Sequence, residues 1–296
     1  MKAAVFYYTQ SGQALNVVRS ICTPFDEVVY KQILPQHAYP FPWSRERFFD
    51  VFPETRLGLP PSGIETIDFA DVANADVVIV AGQSWYLSPS LPLQSFFNDE
   101  QVRRYLRGRD VVFVNACRNM WLMTARKIKG YVKDVGARLV GHIVMQDGAA
   151  NLVSVLTIIR WLMYGQKQGG GLLPAAGVSE TDIAKASRFG ELIRRSVEKN
   201  ALHRLQPDLL AAGAICYKPS ILFLEKAGHR MFGLWARFIR RRGGLGNPDR
   251  RRRVDMFCAY ILFVLFALSP FAQLFFYLTY PLQHVARHRA EDCGLD

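Results

Sequence analysis

Residues 3–14 read AAVFYYTQSGQA: six apolar or aromatic residues, a small polar turn, and the opening of a helix. The apolar run is too short for a buried helix and lacks the alternation of a half-exposed strand. It fits a parallel strand covered on both faces. The turn, Thr9-Gln10-Ser11-Gly12-Gln13-Ala14, places two hydroxyls and a glycine where strand hands over to helix. Backbone N–H groups at a helix N-terminus, hydroxyl donors and a glycine permitting close approach are what a dianionic phosphate needs. An ordinary βα turn has a similar composition, so the loop gains meaning only from its neighbours.

Outward from it, residues 76–81, 110–115 and 138–145 are further short, Val/Ile-rich runs, and 27–33 is a weaker one. Helical patterns cover 14–21, 91–107, 123–135 and 180–200, the last with Ser179 as N-cap. This alternation predicts a doubly wound α/β fold with a five-stranded parallel sheet and right-handed crossovers. Ligands of such sheets bind beyond the strand carboxyl ends, which singles out the loops after Tyr8, Ala81 and Asn115.

Half of the 296 residues are apolar and about a fifth are charged, which excludes a disordered chain and a polytopic membrane protein. The net charge of +12 is uneven: 23 Lys/Arg against 18 Asp/Glu in residues 1–200, and 14 against 7 in residues 201–296. Seven arginines fall between Arg240 and Arg253. Such a tail suits nucleic acid or an anionic membrane. The neighbouring sequence decides, because 256–283 is a run of 28 residues without a charged residue or histidine. That exceeds the ~18–20 apolar residues needed to span a bilayer. The expectation is one tilted, kinked span or a re-entrant hairpin turning at Ser269-Pro270, with 220–242 as a basic amphipathic helix in the interface. Residues 1–200 are therefore read as the α/β domain and 201–296 as a membrane-associating region, with nucleic acid not an expected partner. The cysteines (Cys22, Cys117, Cys216, Cys258, Cys293) show no CxxC and no Cys/His spacing, so no metal is expected and the thiols are read as free. The N-terminal apolar stretch is too short for a signal peptide, which puts the α/β domain in the cytoplasm.

The second loop contains Gly82-Gln83-Ser84-Trp85-Tyr86, and the third reads Asn115-Ala116-Cys117-Arg118-Asn119-Met120-Trp121. Adjacent aromatic residues beside a small-residue turn suit stacking on a planar, electron-poor ring. Together, in this order, the three loops resemble those of the flavodoxin family. The resemblance implies FMN, with its phosphate on Thr9, Gln10, Ser11, Gly12, Gln13 and Ala14. It implies the ring on Ser84, Trp85 and Tyr86, and the pyrimidine edge on Asn115, Cys117, Arg118, Asn119 and Trp121. Ala14 departs from the family, which has a hydroxyl there. Arg118 would stabilise charge on the reduced ring. Cys117 has no acid or histidine at a diagnostic spacing and is not expected to be a nucleophile.

Residues 39–52, YPFPWSRERFFDVF, hold six aromatic residues and two prolines. The stretch is too irregular for one helix or strand throughout. Residues 152–164, LVSVLTIIRWLMY, form an unusually apolar helix. The 39–54 insertion, the NACRNMW loop and the basic, membrane-like C-terminus together resemble the bacterial dialkylresorcinol-condensing enzymes of aryl-polyene lipid biosynthesis. The resemblance implies that the insertion is a hydrophobic lid and that 152–164 holds an alkyl chain. That resemblance implies oxidation of a dialkylcyclohexanedione, a lipid-like substrate, to a dialkylresorcinol at the cytoplasmic face of the inner membrane. It also implies a ketosynthase and acyl carrier protein as partners. The oxidation removes two electrons and two protons, which a flavin takes as a hydride while a base takes a proton. Arg118, His142 and Asp50 form the expected catalytic set, with Glu54 and His37 as further candidates for the base. A membrane-bound quinone reductase and a tethered electron carrier would share the fold, and a homodimer is left open.

Overall fold

The computed structural model describes residues 1–216 and 218–279. Its strands are β1 (Lys2–Tyr7), β2 (Glu27–Gln32), β3 (Val77–Trp85), β4 (Ser88–Pro89), β5 (Asp110–Cys117) and β6 (Arg138–Gln146). The parallel path runs β2-β1-β3-β5-β6, and β4 folds back antiparallel on β3 as a sixth strand. Without β4 this is the flavodoxin-like order 2-1-3-4-5. β1 shows why its run has no alternation: Ala3, Val5 and Tyr7 enter one core while Ala4, Phe6 and Tyr8 enter the other.

The helices are α1 (Gln13–Cys22), α2 (Arg45–Asp50), α3 (Phe52–Leu57), α4 (Leu91–Asn98), α5 (Glu100–Leu106), α6 (Leu122–Val135), α7 (Asn151–Tyr164), α8 (Glu180–Ala184), α9 (Ser187–Glu198), α10 (Leu205–Ala211), α11 (Pro219–Arg240), α12 (Arg251–Phe263) and α13 (Ser269–Thr279). The helix expected over 91–107 divides at Asp99, whose carboxylate accepts from the Gln101 and Val102 N–H groups and starts α5. The α/β core does not stop at Asn200. Leu202, Leu205, Leu209 and Ala214 are buried in it, and the Val144 N–H donates to the Ala214 carbonyl at 2.8 Å.

α11 and the α12–α13 rod run antiparallel, with Phe223 against Phe276 at one end and Trp235 against Tyr260 at the other. α11 in turn packs on α3 and α6. The Glu225 carboxylate accepts from the Trp121, Leu122 and Met123 N–H groups at 3.1, 3.2 and 2.7 Å, capping α6 from another element. The expected hairpin at Ser269-Pro270 is absent: α12 continues through a π turn over 264–268, and Ser269 keeps helical backbone angles. Among the described residues no helix is long and apolar enough to cross a membrane. Residues 280–283 of the expected span lie outside the described residues.

Candidate functional site

The loop after β1 is built for an anion. Gly12 sits at φ +82°, a conformation that favours glycine, and a Cβ there would meet no atom within 4 Å. α1 then starts without a side-chain cap and without an acidic residue in its first turn. Its leading N–H groups are thus left for a ligand. Thr9 Oγ1 is buried and has no hydrogen-bond partner among the described residues. Two predicted contacts are spent elsewhere. The Gln13 side chain pairs with both backbone groups of Val178, at 3.1 and 3.2 Å. Gln10 ties the loop to the lid, donating to the Pro40 carbonyl and accepting from Trp43 Nε1 at 3.1 and 3.3 Å. Ala14 is buried in α1, so Thr9, Ser11, Gly12 and backbone N–H groups remain for a phosphate.

Between β3 and β4 the chain reverses through Tyr86 and Leu87, both at positive φ (48° and 60°). This is the sign pattern of a two-residue hairpin turn, and bulky residues adopt it only under constraint. The constraint is visible. The Tyr86 hydroxyl donates to the Phe48 carbonyl at 2.6 Å, and its ring packs on Phe52 at 5.1 Å. Trp85 stands edge-on to Tyr8, Tyr39 and Trp43, at centroid distances of 5.9, 5.3 and 5.5 Å. The lid is fastened to α7 where the Trp43 N–H donates to the Leu162 carbonyl at 2.7 Å. What results is a cleft of about 230 Å³ between Ser11, Ser84, Trp85, Tyr86, Cys117 and Arg118, covered by Phe41, Trp43 and Phe48 and walled by Trp161.

Arg118 reaches this cleft from the third loop. Its Nη1 donates to the carbonyl and side-chain oxygens of Asn151 at 3.1 and 2.8 Å, and to Ser154 Oγ at 3.1 Å. Burial lowers its pKa to about 10, which leaves a cation at neutral pH. Asn119 Nδ2 donates to Asn151 Oδ1 at 2.8 Å, and Ser84 Oγ to Asn115 Oδ1 at 3.1 Å. Asn115 Nδ2 and Asn119 Oδ1 are buried without partners among the described residues. Burial pushes the Cys117 thiol up, further raised by the charge of Glu225, so it is no thiolate nucleophile.

Four expectations need correction. Trp121 faces away from the cleft, packed with Leu122, Met123, Val144 and Leu222. His142 lies four residues before the end of β6, 1% exposed, against Phe113 and Trp121. Asp50 and Glu54 are bound to Arg250: Nε lies 2.5 Å from Asp50 Oδ1, and Nη1 and Nη2 lie 2.7 and 3.1 Å from Glu54. His37 is exposed and does not line the cleft. One residue was missed. Asp147, directly after β6, is buried, accepts from the Ala149 and Gly177 N–H groups at 2.8 and 3.1 Å, and supports the charge of Arg118. The rule that selected three strand ends applies equally to this fourth.

An apolar chamber of about 440 Å³ adjoins the cleft and shares Phe48, Ser84, Tyr86, Arg118, Ile158 and Leu162 with it. Its far walls are Val155 and Ile159 of α7 and Ile261, Leu262 and Leu265 of the α12–α13 rod. The C-terminal region is therefore part of the site. Among the described residues, no group of three or more His, Cys, Asp or Glu could hold a metal ion.

Among solved structures, the chain is similar to a flavoprotein from Lactobacillus acidophilus in complex with FMN (15% identity, 48% of this chain and 92% of that one, TM-score 0.39). It is also similar to a flavodoxin from the domain Archaea (14%, 67% and 99%, TM-score 0.39). A third is RosB with bound 8-demethyl-8-formylriboflavin-5'-phosphate (11%, 74% and 92%, TM-score 0.37). No family model matches the chain, and no curated protein matches it.

Proposed function

We propose that the cleft holds FMN and that the protein oxidises a dialkylcyclohexanedione to a dialkylresorcinol. The observation that carries this reading is the continuity of three features: an anion cradle at Gly12, an aromatic slot, and an apolar chamber opening from the slot. The unpartnered hydroxyl of Thr9 and the open space over Gly12 fit a terminal phosphate. Trp85, Tyr86 and Trp43 fit a planar ring. FMN, when bound, supplies a two-electron acceptor for a hydride. The chain would do the rest. The chamber takes an alkyl substituent, and the lid excludes water. Arg118, at the junction of cleft and chamber, pairs with a ring oxygen and stabilises its enolate. Among the described residues no carboxylate or imidazole lines the cleft, so the second proton leaves before the ring is enclosed: the acidic β-dione enters as its enolate, gives up the hydride and tautomerises to the resorcinol.

The lid, the 115–121 loop and the C-terminal region also support this reading through their resemblance to the dialkylresorcinol-condensing enzymes. On this reading the protein works at the cytoplasmic face of the inner membrane, after a ketosynthase and its acyl carrier protein. A quinone reductase would use the same cavity with NAD(P)H as donor. Phe41, Trp43 and Phe48 cover the cleft and leave an apolar chamber beside it, which suits a dialkyl ring better than a charged dinucleotide and favours the first reading. The test is anaerobic. Purified protein should be yellow and release FMN, and the dione alone should bleach it with one resorcinol formed per flavin. Bleaching by NADPH with no response to the dione would reverse the assignment.

A further inference from the structure

From Met256 onward the rod made by α12 and α13 carries no charged residue on any side, yet much of it is turned to water. Phe263, Phe266, Phe271, Leu274 and Leu278 are each between 43 and 71% exposed. A helix hydrophobic all round belongs in a core or in lipid, and an apolar surface this extended marks an interaction site. The rod is held against the rest of the fold. Both its helices pack on α11, which is docked on α3 and α6, so the rod lies along the flank of the α/β domain. At one end of it, the turn after α11 and the first turn of α12 present Arg241, Arg242 and Arg252 to solvent. The apolar chamber also reaches this side: its wall residues Leu262 and Tyr164 are 41 and 70% exposed, whereas Val155 deeper in is buried.

We propose that this face docks in-plane on a bilayer carrying anionic headgroups, and that the chamber is an alkyl-chain site filled laterally from the lipid. The phenylalanines and leucines would enter the acyl boundary while the arginines meet headgroup phosphates. Arginines without the apolar face would suit an acidic protein, and the apolar face without them a second copy of the chain. Their occurrence together, the arginines at one end of the rod and the apolar residues along it, fits an anionic interface. The substrate class is an amphiphile with its ring at the cleft, its chain in the chamber and Arg118 at the junction. This deepens the functional reading above and rests on it only for the identity of the ring.

The experiment uses the full chain loaded with FMN. It is floated with phosphatidylcholine vesicles with and without phosphatidylglycerol, and titrated separately with a long-chain fluorescent fatty acid. Flotation should be about tenfold or more greater on the anionic vesicles, given three arginines near the surface. Phe263→Glu and Phe266→Glu, at exposed positions, should each abolish it, and Arg241→Glu with Arg252→Glu should remove the preference for anionic lipid. Ile159→Trp and Met163→Trp narrow the chamber without touching the cleft, and should lose the fatty-acid probe while keeping FMN absorbance. Absent flotation, equal flotation on neutral vesicles, or probe binding unchanged in both tryptophan variants would overturn the proposal. A protein that floats and binds the probe but does not bleach with the dione refutes the aromatisation alone.

Discussion

Arg250 is a fully buried cation in the turn of the helical hairpin that α11 makes with the α12–α13 rod; it holds this C-terminal hairpin to the lid, and replacing it with methionine tests that connection. Its guanidinium meets Asp50 Oδ1 at 2.5 Å and both oxygens of Glu54, at 2.7 and 3.1 Å. Arg250→Met keeps much of the apolar stem and leaves the Glu54 carboxylate, 1% exposed, with Arg240 Nε at 3.4 Å as its remaining ion-pair partner. Breaking a buried pair on one side costs about 3–5 kcal/mol, because the surviving charge is uncompensated. The Arg240 contact puts the expected loss at the lower end, about 3 kcal/mol. Removing both charges tells a different story. Asp50 is partly exposed and also accepts from the Gly246 N–H at 2.8 Å, so it tolerates the loss. The Arg250→Met/Glu54→Leu chain should recover to within about 1 kcal/mol of wild type, since well-packed apolar replacements of buried pairs are often neutral. Urea denaturation, read as unfolding free energy with the slope checked for two-state behaviour, measures both variants. A single variant that loses under about 1 kcal/mol, or a double variant no better than the single one, would refute the argument.

Three further outcomes follow from named residues. Gly12→Val should cut FMN content at least about tenfold, because a β-branched residue at φ +82° is strained and its side chain fills the open space over the α1 N-terminus; full flavin retention in the purified variant would remove the phosphate from this loop. A chain ending at residue 200 loses three buried leucines (Leu202, Leu205, Leu209), roughly 5–9 kcal/mol of apolar burial against a typical total of about 5–15; it should fail to unfold cooperatively, and a cooperative, flavin-binding product would restore the domain boundary to 200. Burial pushes the Glu225 carboxyl from 4.5 up to about 6, so its contribution is whole below pH 4.5 and lost as pH rises through 6. The unfolding free energy of wild type minus that of Glu225→Gln should fall by about 2 kcal/mol across that window, and a pH-independent difference would count against the buried carboxylate. His229, whose pKa burial and Arg56 push down to about 4, acts in the opposite direction in both chains and drops out of the difference.

The sheet was legible because four of its five parallel strands are largely buried on both faces, which leaves a short unbroken apolar run that few other structures produce, while β2, a half-buried edge strand, gave the weaker signal. The strand ends were less so. β3 runs on to Trp85 because Tyr86 and Leu87 turn the chain at positive φ, a turn written without Gly, Asn or Asp. β6 runs on to Gln146, which leaves Asp147 at the sheet's edge, while His142 lies in mid-strand, four residues short of the carboxyl end. Arg118 could be placed from its loop alone, since position after a strand decided the matter. Trp121 could not, because an aromatic residue in a ligand loop looks the same facing in or out, and Leu222, a hundred residues later, is what draws it outward. Asp50 and Glu54 looked like acids free for chemistry because their partner, Arg250, lies about 200 residues away.

These misreadings share a cause that bears on function. Of the residues that changed role, Trp121, Asp50 and Glu54 are touched by the C-terminal hairpin, Trp121 through Leu222 and the lid carboxylates through Arg250, and the same hairpin caps the α6 N-terminus through Glu225. The same hairpin supplies Ile261 and Leu265 to the chamber. A flavodoxin-like sheet lacking it would leave the chamber open on one side and the lid carboxylates without their cation. The hairpin therefore completes the cavity as well as extending the surface, and its loss should remove the alkyl site and loosen the lid together. Separating the two effects requires Arg250→Met/Glu54→Leu, which frees the lid while the apolar wall remains. If that variant keeps fatty-acid binding while Ile159→Trp loses it, the wall alone makes the site; if both lose it, the latch is needed to hold the wall in place.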